Sequence, residues 1–220
     1  MQNSELISKE YKILNSKLHR DSDEYGNRNN FLCNQLPTSI AIINKLFKCN
    51  SVLDYGCGKG MIVRALQSKL AKHSITVQGY DPCVKAYETP PNPADILIST
   101  DVLEHIEPDK IDVVLDHIGD LTLRSCYLII DLLPAVKNLP DGRNAHIMLE
   151  TSGWWLDRLS KIFRSGVHYI LEKEANLDTK MGPTRKLIYV GAKKEKDTLI
   201  ALNLFSATHA NTHQKKTNIT

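Results

Sequence analysis

The sequence predicts an α/β fold: a doubly wound, mainly parallel sheet with an antiparallel closing strand. Three observations carry this. Short apolar runs of strand length alternate with helically spaced segments between residues 51 and 132, the pattern of a parallel sheet with helices on both faces. The first of these runs passes directly into three glycines at alternate positions, Gly56, Gly58 and Gly60. Two further strand-like runs, 168–173 and 186–192, stand ready to close the sheet.

The elements follow in order. Leu6, Ile7, Tyr11, Leu14 and Leu18 fall close to helical spacing and predict an amphipathic lead-in helix. Residues 19–30 are rich in Asp, Asn, Ser and Gly and read as a loop. Residues 39–47 return to helical spacing, and 51–55 read as a short buried strand. Beyond it come a helix at 58–70, strands at 75–80 and 94–99, a helix at 109–118, a strand at 125–132 and a helix at 152–163. From Ser206 the chain is polar and repetitive, the composition of a disordered segment. The expected organisation is an N-terminal pair of helices and cap over 1–50, one ligand-binding domain over 51–200, and a disordered tail over 201–220.

Composition narrows the class. A chain of 220 residues with 42% hydrophobic content supports one α/β domain. Its 28 basic and 25 acidic side chains are interspersed, so no broad basic field offers itself to nucleic acid. Five cysteines form no C-x-x-C pair, which argues against a disulfide framework or a zinc cluster and suits a reducing cytoplasm. The charged N-terminus is unlike a signal peptide, and the longest apolar run, 126–133, is too short to span a bilayer. The expectation is a cytoplasmic protein without membrane insertion; the sequence gives no reading of oligomeric state and no set of metal ligands.

The glycine turn carries the first chemistry. Glycines at the first two positions let the backbone turn tightly and approach a ligand, and a glycine at the third lets the next helix pack on the sheet. The helix N-terminus offers free N–H groups to an anionic group. Such a turn serves either a nucleotide-type cofactor or strand-helix packing alone. A second feature favours the cofactor: Asp81 ends the next strand about 25 residues beyond the turn, near the spacing at which a carboxylate grips a ribose diol. An NAD-binding site is the competitor, but its pattern is Gly-x-Gly-x-x-Gly, whereas here Asp54 leads a Gly-x-Gly-x-Gly run.

With Asp54-Tyr55-Gly56-Cys57-Gly58-Lys59-Gly60, Asp81 and Asp101-Val102-Leu103-Glu104-His105-Ile106 in this order, the chain resembles class I S-adenosylmethionine-dependent methyltransferases. The last hexapeptide is similar to the ubiquinone-biosynthesis and related small-molecule branch. The resemblance spans residues 51–133 and implies a Rossmann-like fold with S-adenosylmethionine as cofactor. It places Asp54, Gly56, Cys57, Gly58 and Gly60 beside the aminoacyl and ribose portions, Asp81 with Pro82 at the ribose hydroxyls, and Thr100 with Asp101 at the methionine part. One departure stands out. Where the family has a helix and a third strand, this chain has only residues 82–93, with Pro90, Pro91 and Pro93 among them. Proline resists both helix and ladder, so the third strand is expected to be reduced or absent, and residues 86–92 to form an irregular loop.

Methyl transfer is an in-line displacement, so the protein must position, desolvate and, for a hydroxyl acceptor, remove a proton. Ligands of open α/β sheets lie at the C-terminal ends of the strands. His146, in the long segment 134–150 that a substrate lid would occupy, is the first candidate base, because a neutral imidazole is available at pH 7. His105 is the second, with a loop-binding role for Glu104 and His105 as the other reading. Arg143 is a candidate grip for a substrate phosphate or carboxylate. Of Trp154 and Trp155, about 100° apart on a helix, one is expected in the core, and Trp154 is the candidate for the substrate. His19 and Tyr25 are candidate caps over the cofactor.

The Asp/Asn-Pro-Pro-Tyr/Phe motif of nucleic-acid amino methyltransferases is absent after the fourth-strand position, where Ser99-Thr100-Asp101-Val102 stands instead. The acceptor expected is therefore a small molecule or glycan-linked group, with transfer to oxygen. A nucleic-acid or cap methyltransferase and a non-catalytic cofactor-binding scaffold are the alternatives.

Overall fold

The computed structural model describes residues 6–23, 25–26, 30–175 and 182–209. Six strands form one sheet: β1 (Ser51–Tyr55), β2 (Thr76–Tyr80), β3 (Ala94–Thr100), β4 (Thr122–Asp131), β5 (Ser165–Lys173) and β6 (Thr184–Ala192), in the spatial order β2-β1-β3-β4-β6-β5. The first four run parallel, with Val52 opposite Val77 and Ile96, and Leu97 opposite Cys126. β6 runs antiparallel to both β4 and β5. The mainly parallel sheet closed by an antiparallel strand is thus present.

Side-chain alternation explains why the sheet carries two cores. Leu53, Leu97, Cys126, Leu128, Leu187 and Tyr189 face one side, against α4 (Ile111–Leu121) and α5 (Ser152–Ile162). Val52, Ile96, Ile98, Tyr127, Ile188 and Val190 face the other, against α2 (Asn30–Phe47), α3 (Met61–Leu70) and α6 (Thr198–His209). Among the described residues no helix is long and apolar enough to cross a membrane. All five cysteines are free.

The missing third strand is confirmed. Between Asp81 and β3 the chain makes one short 3-10 turn, Lys85–Tyr87, and then an irregular proline-bearing segment, so β3 takes the place of the family's fourth strand beside β1. The expected tail is corrected in its first part. Residues 201–209 belong to α6, whose Ile200, Ala201 and Leu204 are buried against α2 and the sheet; an apolar face decides this over the polar composition that follows. Residues 210–220 of that expectation lie outside the described residues.

α1 (Lys9–Asp21) is the remaining helix, and hydrogen bonds tie it across the carboxyl ends of the strands. Ser8 donates through its backbone N–H and its hydroxyl to Glu107 at 2.8 and 2.7 Å, Tyr11 donates to the His105 carbonyl at 2.6 Å, and Ser16 donates to the Cys83 carbonyl at 3.0 Å. Ser8 also caps the helix by accepting from the Tyr11 N–H.

Candidate active site

A cavity of about 350 Å³ opens at the carboxyl ends of β1, β2, β3 and β4, the ligand position of open α/β sheets. Asp54, Gly56, Cys57 and Gly58 line it from the first turn, Asp81 and Pro82 from the second, Thr100 and Asp101 from the third, and His105 and His146 from its far end. His19, Tyr25 and Gly26 close it from the N-terminal side.

Gly60 does not line the cavity. It sits in the left-handed region at φ +73° as the N-cap of α3, and a Cβ there would collide with the Tyr87 hydroxyl. Its smallness therefore serves the packing of the 3-10 turn rather than the ligand. Gly58 is a similar case: a Cβ there would stand 2.8 Å from the Gly26 backbone, which also accepts a 3.2 Å hydrogen bond from the Lys59 N–H. The close approach expected from a ligand is made here by the N-terminal segment. α3 opens without a side-chain cap.

Asp81 is 7% exposed and turned toward the glycine turn. One oxygen accepts from the Gly58 N–H at 3.0 Å and the other from the Cys83 N–H at 2.8 Å, while His19 Nε2 stands 4.0 Å away. A carboxylate has about four lone-pair sites, so acceptor capacity remains on each oxygen. Asp54 is 2% exposed, and burial, with the nearby Asp81 charge, lifts its pKa to about 7. The carboxyl that leads the turn is thus set to lose its proton beside a cationic group.

The far end is organised by the segment between β4 and α5. Residues 137–145 fold back as a small hairpin, with Ala145 N–H donating to the Lys137 carbonyl at 3.0 Å and Leu139 N–H to the Arg143 carbonyl at 2.7 Å. Asn144 fixes its base, accepting from Ala135 and His146 N–H groups at 2.9 and 3.0 Å and donating to the Ala135 carbonyl at 2.8 Å. Lys137 reaches across to the Ser22 hydroxyl, and Lys59 donates to the Ser22 carbonyl at 2.8 Å. The lid position is therefore filled by an ordered hairpin joined to the N-terminal cap.

This hairpin delivers both histidines. His105 Nδ1 lies 2.7 Å from the Ala145 carbonyl, and His146 Nδ1 lies 2.5 Å from the Leu133 carbonyl. A carbonyl only accepts, so each ring carries a hydrogen on Nδ1, and in a neutral ring Nε2 is then the acceptor. Burial, reinforced by His146, draws the His105 pKa down to about 3, so that ring is neutral at physiological pH. Tyr25, 3.3 Å from His105 Nδ1, has its hydroxyl 3.1 Å from Asn15 Oδ1, to which it donates.

Two expected substrate residues lie elsewhere. Arg143 is outside the cavity; its guanidinium is held by Asp141 at 2.7 and 2.8 Å on the hairpin's outer face. Trp154 is stacked under the Arg158 guanidinium at 3.5 Å and beside Trp155, which is fully buried. Neither enters the pocket, because local pairing on each element satisfies them first. The cavity instead contains Lys186, from β6, which the sequence reading did not single out. Its ammonium contacts Asp101 at 2.6 Å and Asp131 at 3.4 Å. Burial disfavours the charged ammonium, but Asp101 and Asp131 more than reverse this and raise its pKa. Asp101 is held at φ +56°, an uncommon conformation for a non-glycine residue that marks functional turns.

Residues 26–165 match the model of a family described as a methyltransferase domain. No protein of curated function matches the sequence. Among solved structures, 1,6-didemethyltoxoflavin-N1-methyltransferase from Burkholderia thailandensis, with 1,6-didemethyltoxoflavin and S-adenosylhomocysteine bound, aligns over 84% of this chain and 90% of its own, at 14% identity and a TM-score of 0.51. Plantazolicin methyltransferase BpumL in complex with SAH aligns over 84% of this chain and 96% of its own, at 12% identity and a TM-score of 0.51. An O-methyltransferase family protein from Burkholderia thailandensis aligns over 74% of this chain at 12% identity and a TM-score of 0.45, and the chain spans 57% of its length. At these identities the likeness is one of fold.

Proposed function

The chain belongs to a methyltransferase-domain family, and from that premise we propose that it transfers a methyl group from S-adenosylmethionine to an oxygen of a small-molecule or glycan-linked acceptor. The cofactor supplies an electrophilic methyl on a sulfonium leaving group, so the protein's part is placement and handling of the acceptor proton. The residues fit this cofactor: a cleft at the strand ends, a paired acceptor at Asp81 for the ribose diol, and Asp54 for the amino group.

The observation that carries the choice of oxygen is the pair of Nε2 electron pairs at the cavity's far end. A hydroxyl acceptor must lose a proton, and His105 and His146 both line the cavity with Nδ1 engaged by backbone carbonyls, which leaves Nε2 as the nitrogen to take it. Lys186 adds a fixed positive charge, held by Asp101 and Asp131, on the same wall. The interspersed basic and acidic residues of the sequence and the absence of the amino-methyltransferase motif support a non-nucleic-acid acceptor.

Radiolabel transfer from S-adenosylmethionine to sugar nucleotides, phenolic precursors and RNA, run in parallel, tests this reading. Label on a hydroxyl of either small-molecule class is expected; label on RNA alone or on none overturns the acceptor assignment.

A further inference from the structure

We propose that Leu6, Ile7, Ile106, Pro134, Val136 and Pro183 form an apolar rim that selects an uncharged acceptor, its hydroxyl carried on an aromatic or hydrocarbon body, and rejects phosphorylated or otherwise anionic ones. This rests on the O-methylation reading for the atom methylated, and it narrows the small-molecule or glycan-linked class to its apolar part. All six residues line the cavity, yet they come from four separate segments: the bend before α1, the 3-10 turn after β3, the chain leaving β4 and the chain entering β6. Pro134, Val136 and Pro183 are exposed and the other three half-buried. Val136, at 93%, is the most exposed large apolar side chain among the described residues.

Hydrogen bonds fix this rim beside the two histidines. Ile106 follows His105 directly, and Pro134 follows Leu133, whose carbonyl holds His146 Nδ1 at 2.5 Å. Val136 lies between Ala135 and Lys137, whose backbone groups bond Asn144 and Ala145, the two residues before His146. Ser8, next to Ile7, donates to Glu107, next to Ile106, and Tyr11 of the same helix donates to the His105 carbonyl at 2.6 Å. Pro183 directly precedes β6, in which Lys186 stands opposite Asp131. Exposed apolar residues scattered singly need no explanation, but their gathering from four segments on one pocket wall marks a surface that a ligand covers.

The charges on the wall decide what that ligand is. Among the described residues two lysines and no arginine line the cavity. Lys186 sits between Asp101 at 2.6 Å and Asp131 at 3.4 Å, two carboxylates against one ammonium, and Lys137 bonds the Ser22 hydroxyl. Arg143 is outside, held by Asp141. A phosphate or carboxylate entering here is desolvated among apolar side chains and beside a net negative group, with no uncommitted lysine or arginine to receive it. An aromatic or hydrocarbon body instead removes the rim's apolar surface from water, a gain that grows with the area covered, and brings its hydroxyl to the histidines. Selection thus works by mismatch against charged acceptors as well as by fit to apolar ones.

The test uses the full chain saturated with S-adenosylhomocysteine and two probes that share a ring system and a hydroxyl but differ by one anionic group, 2-naphthol and 6-hydroxynaphthalene-2-sulfonate. Each is titrated by its own fluorescence, with UDP-glucose as competitor. The uncharged naphthol is expected to bind roughly tenfold or more tightly than the sulfonate, and UDP-glucose not to displace it. Val136→Asp is expected to lower naphthol affinity about fivefold or more while S-adenosylhomocysteine affinity stays within about twofold. The same change at Leu199, exposed on α6 outside the cavity, is expected to alter neither. Sedimentation at rising protein concentration reads whether a second copy covers the rim. Equal affinity for the two probes, equal naphthol affinity in wild type and Val136→Asp, or a self-association that Val136→Asp abolishes overturns the proposal. Label on a sugar-nucleotide hydroxyl upholds O-methylation and overturns the rim. Selective naphthol binding with label only on nitrogen or carbon acceptors leaves the rim standing and removes the O-methylation reading instead.

Discussion

The rings of His105 and His146 meet edge to face, 4.7 Å between centroids and 81° between planes, although one belongs to the turn after β3 and the other to the hairpin after β4. Each is anchored through Nδ1 to a backbone carbonyl, and both residues line the cavity.

His146→Ala is therefore expected to lower turnover by about 10²–10⁴-fold while leaving S-adenosylhomocysteine affinity within about twofold, since its hydrogen bonds run to Asn144 and Leu133 rather than to Asp54 or Asp81. Turnover within about threefold of wild type in single-turnover kinetics would remove the residue from the chemistry.

Asp81→Asn is expected to weaken S-adenosylhomocysteine binding by roughly 10- to 100-fold, the worth of a charge-assisted hydrogen bond. The substitution also replaces one of two oxygens that accept from Gly58 and Cys83. Calorimetry reads the affinity. An unchanged dissociation constant would place the ribose elsewhere.

The raised pKa of Asp54, about 7 from burial and Asp81, gives two linked pH effects. In the ligand-free chain the folded state holds this proton more tightly than the unfolded state, so the group's stabilising contribution is complete below about pH 4 and declines as pH rises to about 7. Cofactor binding places an ammonium beside the carboxyl and favours its ionised form. Affinity is then expected to rise roughly tenfold between pH 6 and pH 8, and the slope to vanish in Asp54→Asn. Titrations of S-adenosylhomocysteine across that range check this, and a flat wild-type profile contradicts it.

Gly60→Ala is expected to destabilise the chain by about 1–3 kcal/mol, because it imposes a side chain on a left-handed residue and drives it into Tyr87. The melting temperature should fall by several degrees. Since Gly60 lies off the cavity wall, ligand affinity at a temperature well below melting should change little.

Arg143→Ala is expected to leave the acceptor KM within about twofold. Its guanidinium is engaged by Asp141 outside the cavity, and exposed ion pairs contribute little. A tenfold rise in KM would show that the hairpin turns inward during the reaction.

What the sequence determined by itself was local and periodic. Alternating apolar runs specified strands with two buried faces, and prolines at 90, 91 and 93 ruled out another strand beside β2. Asp54, the first two glycines of the turn and Asp81 reach the cavity because strand ends and turns carry their own geometry. Tertiary structure decided whatever depends on which distant segment arrives first. It put Gly60 under Tyr87, occupied Arg143 with Asp141 and Trp154 with Arg158, and extended α6 across residues 201–209. It also brought Lys186 from β6 to Asp101 and Asp131, and set the orphaned Glu104 oxygen beside two histidines. No spacing rule encodes such meetings, because charges and lone pairs are satisfied by whatever the fold places within about 3 Å, and that neighbour is fixed only when the whole sheet closes.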